Sequence, residues 1–436
     1  MTNFYGNKKN DKSPDILILG AGAAGLMAGI SAAKSGACVL ILEKNQNPGI
    51  KILMSGGSRC NITHDCDNLG IIKAFGEKGK FLHSALAAFT TQDTITFFTN
   101  AGVKTKVEST GKVFPESNRA QHVLDALLAM LSQTGATIAC NEPALAIHQG
   151  ANGLEVVTPS RSIRPRLVIL TTGGKSFPRC GTTGEGYSFA KTLGHEITPL
   201  RPALVPISIG DKWAHMLSGI TVPDLQLNLY SLPIDQVAKK LGHSRGSTLF
   251  THVGLSGPCP LNLTRIEGPW HTPSKMRLEV DFFPGLSDAE FINCLRVAAS
   301  TDGKRLASSV LGDYLPRRLV DTLLNPDLFS GLSKMAELSR EARTSLLSVM
   351  KKLTIMYTGN LGFDKAEVTA GGIYLGEVDS RSMRSYKTPH LFFAGEILDL
   401  DGPIGGYNFQ AAWSTGWLAG KKAASCLGEM PINTEC

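Results

Sequence analysis

No CxxC pair occurs among the nine cysteines, whose number is odd and whose spacing is irregular. Zinc ribbons and disulfide scaffolds need paired, regularly spaced cysteines. Neither class fits, no metal site is expected, and free thiols point to a reducing compartment, the cytoplasm. Long uninterrupted apolar runs are also missing. Ile16 to Ala33 carries no charge and follows Lys8, Lys9 and Lys12, the outline of a signal or membrane segment, yet it includes Gly20, Gly22, Gly25 and Gly29. A spanning helix is more continuous and richer in Leu, so no membrane segment is expected. Charged residues make up only 19% against 42% hydrophobic, the balance of a folded globular protein rather than a disordered one. The formal net charge is +7, but no Lys/Arg block forms a nucleic-acid tail. No internal repeat is visible, which excludes solenoids and propellers.

Glycine is plentiful, at 46 residues, and clusters in patterned loops. A length of 436 residues implies two or three domains. Residues 1–14 are polar and read as a tail. Asp15 to Leu19 is a buried-strand run, Ala23 to Ser35 a small-residue helix, and Ala37 to Leu42 a second strand ending at Glu43: a βαβ unit. Helical patterns follow at about Phe81–Ala101 and Arg119–Thr134, strand-like runs around Lys112–Phe114, Ala136–Cys140 and Leu154–Thr158, then the buried strand Arg166–Leu170. Pro199, Pro202, Pro206 and Pro223 then interrupt short alternating runs, a β-rich texture. It turns helical and charged over about 287–353. The expected division is a dinucleotide domain over 15–197 and 358–428, interrupted by a mixed insert over 198–357.

Gly20-Ala21-Gly22-Ala23-Ala24-Gly25 follows a strand and opens a helix. The first Gly serves a tight turn, the second lets backbone approach a pyrophosphate, and the third lets helix and strand pack closely. The helix N-terminus offers free N–H groups to the phosphates. Glu43 sits where a carboxylate can take both ribose hydroxyls, which disfavours a phosphorylated ribose; Lys44 is beside it. The fingerprint alone does not separate FAD from NAD. Lys51 to Asn61 is a small-residue loop in which Gly56 and Gly57 permit close backbone passage, Arg59 can neutralise pyrophosphate, and Lys51, Cys60 and Asn61 lie within reach of a cofactor. A surface loop with a solvated Arg is the plain alternative. Thr172 and Gly173, in the turn after a buried strand, join these candidates. Leu391–Glu396 is a strand ending in Gly395 and Glu396, a position where two-stretch flavin enzymes hold the ribityl chain. Asp401, Gly405, Gly406, Tyr407 and Asn408 follow, before a helix over Ala411–Ala424 with Trp413 and Trp417 on one face. Its N-terminus suits the flavin pyrimidine edge, with Asn408 or a backbone N–H as oxyanion donor. These segments exclude a simple NAD dehydrogenase and point to FAD.

The fingerprint, the KILMSGGSRCN loop, the TTGG turn with GTTGEGY, the FTHVGLSGP segment and the VTAGGI…LFFAGEILDLDGPIGGYNFQ run resemble, in order and over nearly the whole chain, BaiN/YhiN-type (aminoacetone-oxidase-like) flavoproteins. Ile50 and Ser58 stand where Arg and Gly are common. The resemblance implies a Rossmann-like FAD domain of α/β class carrying a β-barrel-like insert with a helical piece. It also implies hydride chemistry through flavin: reduction of a C=C bond conjugated to a carbonyl, amine oxidation, or reduction of uridine in ribosomal RNA. Fold does not choose among substrates.

Cys60 and Cys66 have five residues between them, not the four of flavin disulfide reductases, so no redox dithiol is expected. His252 is a candidate proton donor, with a structural turn histidine as the alternative. Tyr407 and Asn408 are the preferred groups beside the flavin. Arg161, Arg164 and Arg166 form a basic cluster whose default role is solvated surface. Expected, then, is an FAD oxidoreductase reducing an enone-like small molecule, with NADH or NADPH docking transiently because no second fingerprint exists. Ribosomal RNA as substrate and a turnover-silent flavin sensor are the alternatives. Substrate, electron donor and oligomeric state stay open.

Overall fold

The computed structural model describes residues 13–150, 153–232, 237–324 and 334–428. Most of the expected tail, 1–14, and the middle of the helical stretch, at 325–333, lie outside the described residues. The chain forms two compact units, Met1–Arg201 with Val368–Cys436, and Pro202–Glu367.

The first unit is built on a parallel sheet in the order Leu391–Phe393, Leu167–Leu170, Ile16–Leu19, Val39–Leu42, Thr137–Ala139. Three of its strands carry no alternation because both their faces are buried: Ile16–Leu19, Leu167–Leu170 and Leu391–Phe393 are buried at every residue. The strand from the far end of the chain thus completes a sheet begun at residue 16. Two helices cross closely beside it, Ala23–Lys34 and Tyr407–Leu427. A Cβ at Gly416 would lie 2.4 Å from the Ala24 carbonyl oxygen, and one at Gly420 2.2 Å from that of Ala28. Only residues without a side chain allow this approach.

The single helix expected over Phe81–Ala101 is two, His83–Ala88 and Thr91–Asn100. Thr90 breaks it: its hydroxyl accepts from the Asp93 N–H while the Asp93 carboxylate accepts from the Thr90 N–H, a reciprocal cap.

The second unit holds a seven-stranded antiparallel sheet ordered Leu353–Ile355, Met276–Asp281, Thr221–Ser231, Lys239–Phe250, Gly254–Ser256, Ile207–Ile209, Tyr357–Asn360. Ile355 pairs with Leu278 on one edge and Tyr357, two residues on, with Ile209 on the other, so the sheet curls until its edges meet. Leu227, Leu229, Leu278 and Val280 share one core with Leu319, Leu323, Leu346 and Met350 of the helical part. Lys351 is buried there because its ammonium donates to Asp281 (2.8 Å) and to the Phe283 and Leu286 carbonyls (2.8 and 2.7 Å). The unit ends at Glu367, not at 357: Tyr357–Asn360 pairs with Ile207–Ile209, and the Leu361 and Glu367 N–H groups donate to Pro206 and Leu204.

Among the described residues, no helix is long and apolar enough to cross a membrane, and no group of three His, Cys, Asp or Glu is placed to hold a metal ion.

Candidate functional site

Because the strands run parallel, the segments that follow them leave from one edge of the sheet, and that edge gathers Gly20–Gly25, Glu43–Asn45, Thr171–Gly174 and Ala394–Glu396. Ligands of open parallel sheets bind at this carboxyl edge. Gly20 has φ +105°, and a Cβ there would lie 2.9 Å from the Thr171 carbonyl oxygen. At Gly25 it would lie 1.9 Å from the Gly20 carbonyl oxygen. Gly22 differs: it caps the helix without a side-chain bond, and nothing stands within 4 Å of its Cβ position. Two of the three glycines serve packing, and the middle one leaves space beside unpaired N–H groups. Ala23 begins the helix, and Ala24 packs beneath Gly395, where a Cβ would come within 2.7 Å of its own.

Glu43 is buried. Its Oε2 accepts from the Ala21 N–H (2.9 Å), and its Oε1 from the Asn45 N–H and side-chain amide (2.9 and 2.8 Å). These bonds fix the carboxylate across the mouth of the glycine turn and leave acceptor capacity on Oε2. Lys44 donates to the Thr183 hydroxyl and pairs with Glu185. Lys51 reaches across the sequence to Glu396 at 2.6 Å, whose other oxygen accepts from the Thr369 N–H. Thr172 turns its hydroxyl inward, and Gly173, at φ +73°, follows. Asp401 is buried nearby in sequence to Asp399, which pairs with Lys78 at 2.6 Å.

The 51–61 loop is more locked than its sequence implies. Gly56, Gly57 and Ser58 all have left-handed φ, as does Cys60, so Ser58 occupies a conformation glycine would adopt freely. Arg59, expected at a phosphate, instead pairs with Glu108 at 2.7 Å and lies 3.9 Å over the Phe114 ring. Asn61, expected near a cofactor, has its amide spent on backbone: with its nitrogen toward the Thr63 and Val113 carbonyls (3.0 and 3.2 Å), its oxygen accepts from the Gly406 N–H at 2.9 Å. Cys60 and Cys66 are free thiols, pushed up to about 12 and about 11, in both cases chiefly by burial. Neither is poised as a thiolate.

The C-terminal glycine loop sits on these residues. A Cβ at Gly406 (φ +93°) would lie 2.3 Å from the Thr63 carbonyl oxygen. Gly406 caps the helix Tyr407–Leu427, again without a side-chain bond. Gln410, fully buried, anchors the first turn: the Thr63 and Thr94 hydroxyls donate to its oxygen at 2.6 and 2.9 Å. Trp413 donates to the Ile62 carbonyl at 2.9 Å. Asn408 bonds to the backbone of its own loop. It donates to the Gly402 carbonyl (2.9 Å) and accepts from the Gly402 N–H (2.7 Å), bracing the loop. Tyr407 stacks on His64, ring centroids 4.5 Å apart, and His64 Nδ1 lies 3.0 Å from the Gly405 carbonyl. Burial raises the Tyr407 phenol. A Cβ at Gly405 would meet both rings, at 2.9 and 3.2 Å. His252 belongs to the second unit, exposed in the turn after Lys239–Phe250. His64, Asn45, Thr369 and the Lys78–Asp399 pair are absent from the sequence-based set. Thr369 and Asp399 lie inside the VTAGGI and LFFAGEILDLDGPIGGYNFQ segments, Asn45 is two residues from Glu43, and His64 three from Asn61.

Residues 14–422 match the family described as HI0933-like protein Rossmann domain. The chain is 30% identical over 406 residues to the ribosomal RNA dihydrouridine synthase of Escherichia coli, covering 92% of this chain and 96% of that one. It is equally 30% identical over 410 residues to the 3-dehydro-bile acid delta(4,6)-reductase of Clostridium scindens, covering 93% and 98%. A mutated FrdA chain of Escherichia coli quinol fumarate reductase shares its fold with a TM-score of 0.50 and 18% identity, over 97% of this chain and 72% of that one.

Proposed function

The chain belongs to the HI0933-like family of FAD-dependent oxidoreductases, and from that premise we propose that it reduces a carbon–carbon double bond conjugated to a carbonyl in a small molecule, using NADH or NADPH. One observation carries this reading. The relatives at equal identity are named for different substrates, an RNA nucleoside and a bile acid, but both names describe saturation of a double bond. In uridine and in a 3-oxo bile acid with 4,6 unsaturation, that bond is conjugated to a carbonyl.

The residues present fit FAD. Open space at Gly22 meets an uncapped helix start, and a second uncapped helix start lies at Gly406. In this reading Gly20–Gly25 takes the pyrophosphate and Glu43 the adenosine ribose, while Lys51 orients Glu396. When bound, FAD would supply hydride chemistry between NAD(P)H and an electron-poor carbon. The N–H groups after Gly406 would offer the positive end of a helix to the flavin, and Asn408 braces the loop that carries them. Tyr407, held by His64, carries the proton for the carbon beside the carbonyl. Each turnover then consumes one NAD(P)H and one proton and yields one saturated bond.

A small substrate is favoured because the basic cluster is already neutralised. Arg161 pairs with Glu142, Arg164 with Glu155 and Arg166 with Asp15. The test is NAD(P)H consumption with a panel of enones, wild type against Tyr407→Phe. Enone-dependent turnover that falls at least tenfold in the variant supports the reading, and no enone-dependent turnover in the wild type refutes it. Ribosomal RNA is the second reading, favoured by the Escherichia coli and Haemophilus influenzae relatives, each named ribosomal RNA dihydrouridine synthase. A dihydrouridine lost from ribosomal RNA on gene deletion, and restored by the wild-type gene alone, would establish it.

A further inference from the structure

The Glu43 carboxylate keeps a small exposed surface, 7% for the residue, and its two oxygens are held unequally. The Ala21 N–H donates to Oε2, whereas the N–H and the side-chain amide of half-buried Asn45 both donate to Oε1, at 2.9 and 2.8 Å. The Asn45 amide has a second tie. It donates to the Cys180 carbonyl at 3.1 Å, and Gly181, at φ +92°, lies so close that a Cβ there would stand 2.5 Å from Asn45 Nδ2. An amide nitrogen carries two hydrogens, and these two acceptors take both. The reversed amide would set its oxygen against a carboxylate and a carbonyl, so the side chain has one way to sit. Its neighbour Lys44 makes a parallel link, to Thr183 and Glu185. The residues that follow the second strand are thus fastened twice to the segment Cys180–Glu185.

What this does follows from the chemistry of a carboxylate. Its oxygens are equivalent until neighbours distinguish them, and a carboxylate free to rotate would present either to a ligand. Two donors occupy Oε1 and one occupies Oε2, so the spare acceptor capacity lies on Oε2. The vicinal hydroxyls of a ribose are the donors that suit an acid at the end of this strand, and a phosphate there would be repelled. We propose that Asn45 is a positioning residue for the adenosine ribose of FAD: it touches no nucleotide atom but holds Glu43 with Oε2 turned to the ribose hydroxyls. The inference rests on the FAD-binding reading of this sheet edge and adds Asn45 to it.

Asn45→Ala removes the amide and leaves the backbone N–H. The holoenzyme is diluted in series, FAD release is followed by flavin fluorescence, and two competitors are titrated: ADP, and 2′,3′-dideoxy-ADP, which lacks both ribose hydroxyls. We expect the inhibition constant of ADP to rise about tenfold, as for loss of one hydrogen bond to a charged group, with that of the dideoxy nucleotide unchanged. Glu43→Gln should show the same loss, and adding Asn45→Ala to it should lose no more. An unchanged ADP constant overturns the proposal. So does an equal loss for both competitors, which a merely structural role would give, and so does a further loss in the double variant, which would place Asn45 on the nucleotide itself. If Asn45→Ala does not accumulate, Asn45→Leu, of nearly the same shape as Asn, carries the same test with the same outcomes. A wild type that holds no FAD, or binds both competitors equally, fails the underlying reading instead, before any variant is compared.

Discussion

Gly22 and Gly25 lie three residues apart, yet a side chain at each meets a different obstacle. At Gly25 a methyl group would drive into the Gly20 carbonyl, inside the protein. At Gly22 it would enter space no protein atom occupies. Gly25→Ala should therefore destabilise the fold itself, by about 1–3 kcal/mol or more. Gly22→Leu should leave a folded protein that lacks FAD. Flavin content beside thermal unfolding checks both, and a Gly22→Leu protein that keeps its FAD would show that the pyrophosphate lies elsewhere. Asn408 makes the second case at this scale. Its reciprocal bonds with Gly402 brace the glycine loop, so Asn408→Ala should lose roughly 1–3 kcal/mol of stability and a large part of its flavin together. Slowed reduction at full flavin content and unchanged melting would restore Asn408 as a direct donor. The fingerprint and Glu43 were legible in sequence because their spacing is local. The Arg59–Glu108 pair spans 49 residues and the Lys51–Glu396 pair 345. No spacing rule reaches that far.

Three strands of the parallel sheet, Ile16–Leu19, Leu167–Leu170 and Leu391–Phe393, read directly from their apolar runs, since full burial erases polar alternation. The closed antiparallel sheet showed only as broken alternating runs, because bulges interrupt it between Val222 and Leu225 and between Leu229 and Tyr230. One polar link between elements sets a pH dependence. His195, buried after the helix Glu185–Thr192, has Nδ1 3.2 Å from the Ala190 carbonyl and Nε2 2.7 Å from the Ser385 hydroxyl. The Ser385 oxygen also accepts from the Lys387 and Thr388 N–H groups, so its hydroxyl donates to a neutral imidazole. Burial lowers the His195 pKa, outweighing the Ala190 hydrogen bond that raises it; Glu377 and Lys387 act in opposite directions. The unfolded chain then binds the proton more readily than the folded one. This contribution to stability is complete above the unfolded value of about 6.5 and is lost as pH falls from there toward the lower folded value. Thermal unfolding between about pH 5 and 8 should show a steeper acid loss in wild type than in His195→Gln. Parallel curves would remove His195 as the cause.

For the molecule as a whole, charge distinguishes the two substrates. The excess of +7 is dispersed, and the arginine cluster is paired with carboxylates. Charge reversal at Arg161, Arg164 or Arg166 should change turnover of an enone by less than about twofold, as expected for exposed ion pairs, and added salt should matter little. An RNA substrate would impose a steep salt dependence and sensitivity to those reversals. The most direct test of conjugated-bond reduction is a single turnover without oxygen. Holoenzyme is reduced with NAD(P)H, excess nucleotide is removed, and an enone is titrated in while flavin absorbance and product are followed. We expect the flavin to be reoxidised by one equivalent of enone, with product saturated at the C=C bond and its carbonyl intact. Flavin that stays reduced in the presence of every enone and returns only with oxygen would contradict that assignment.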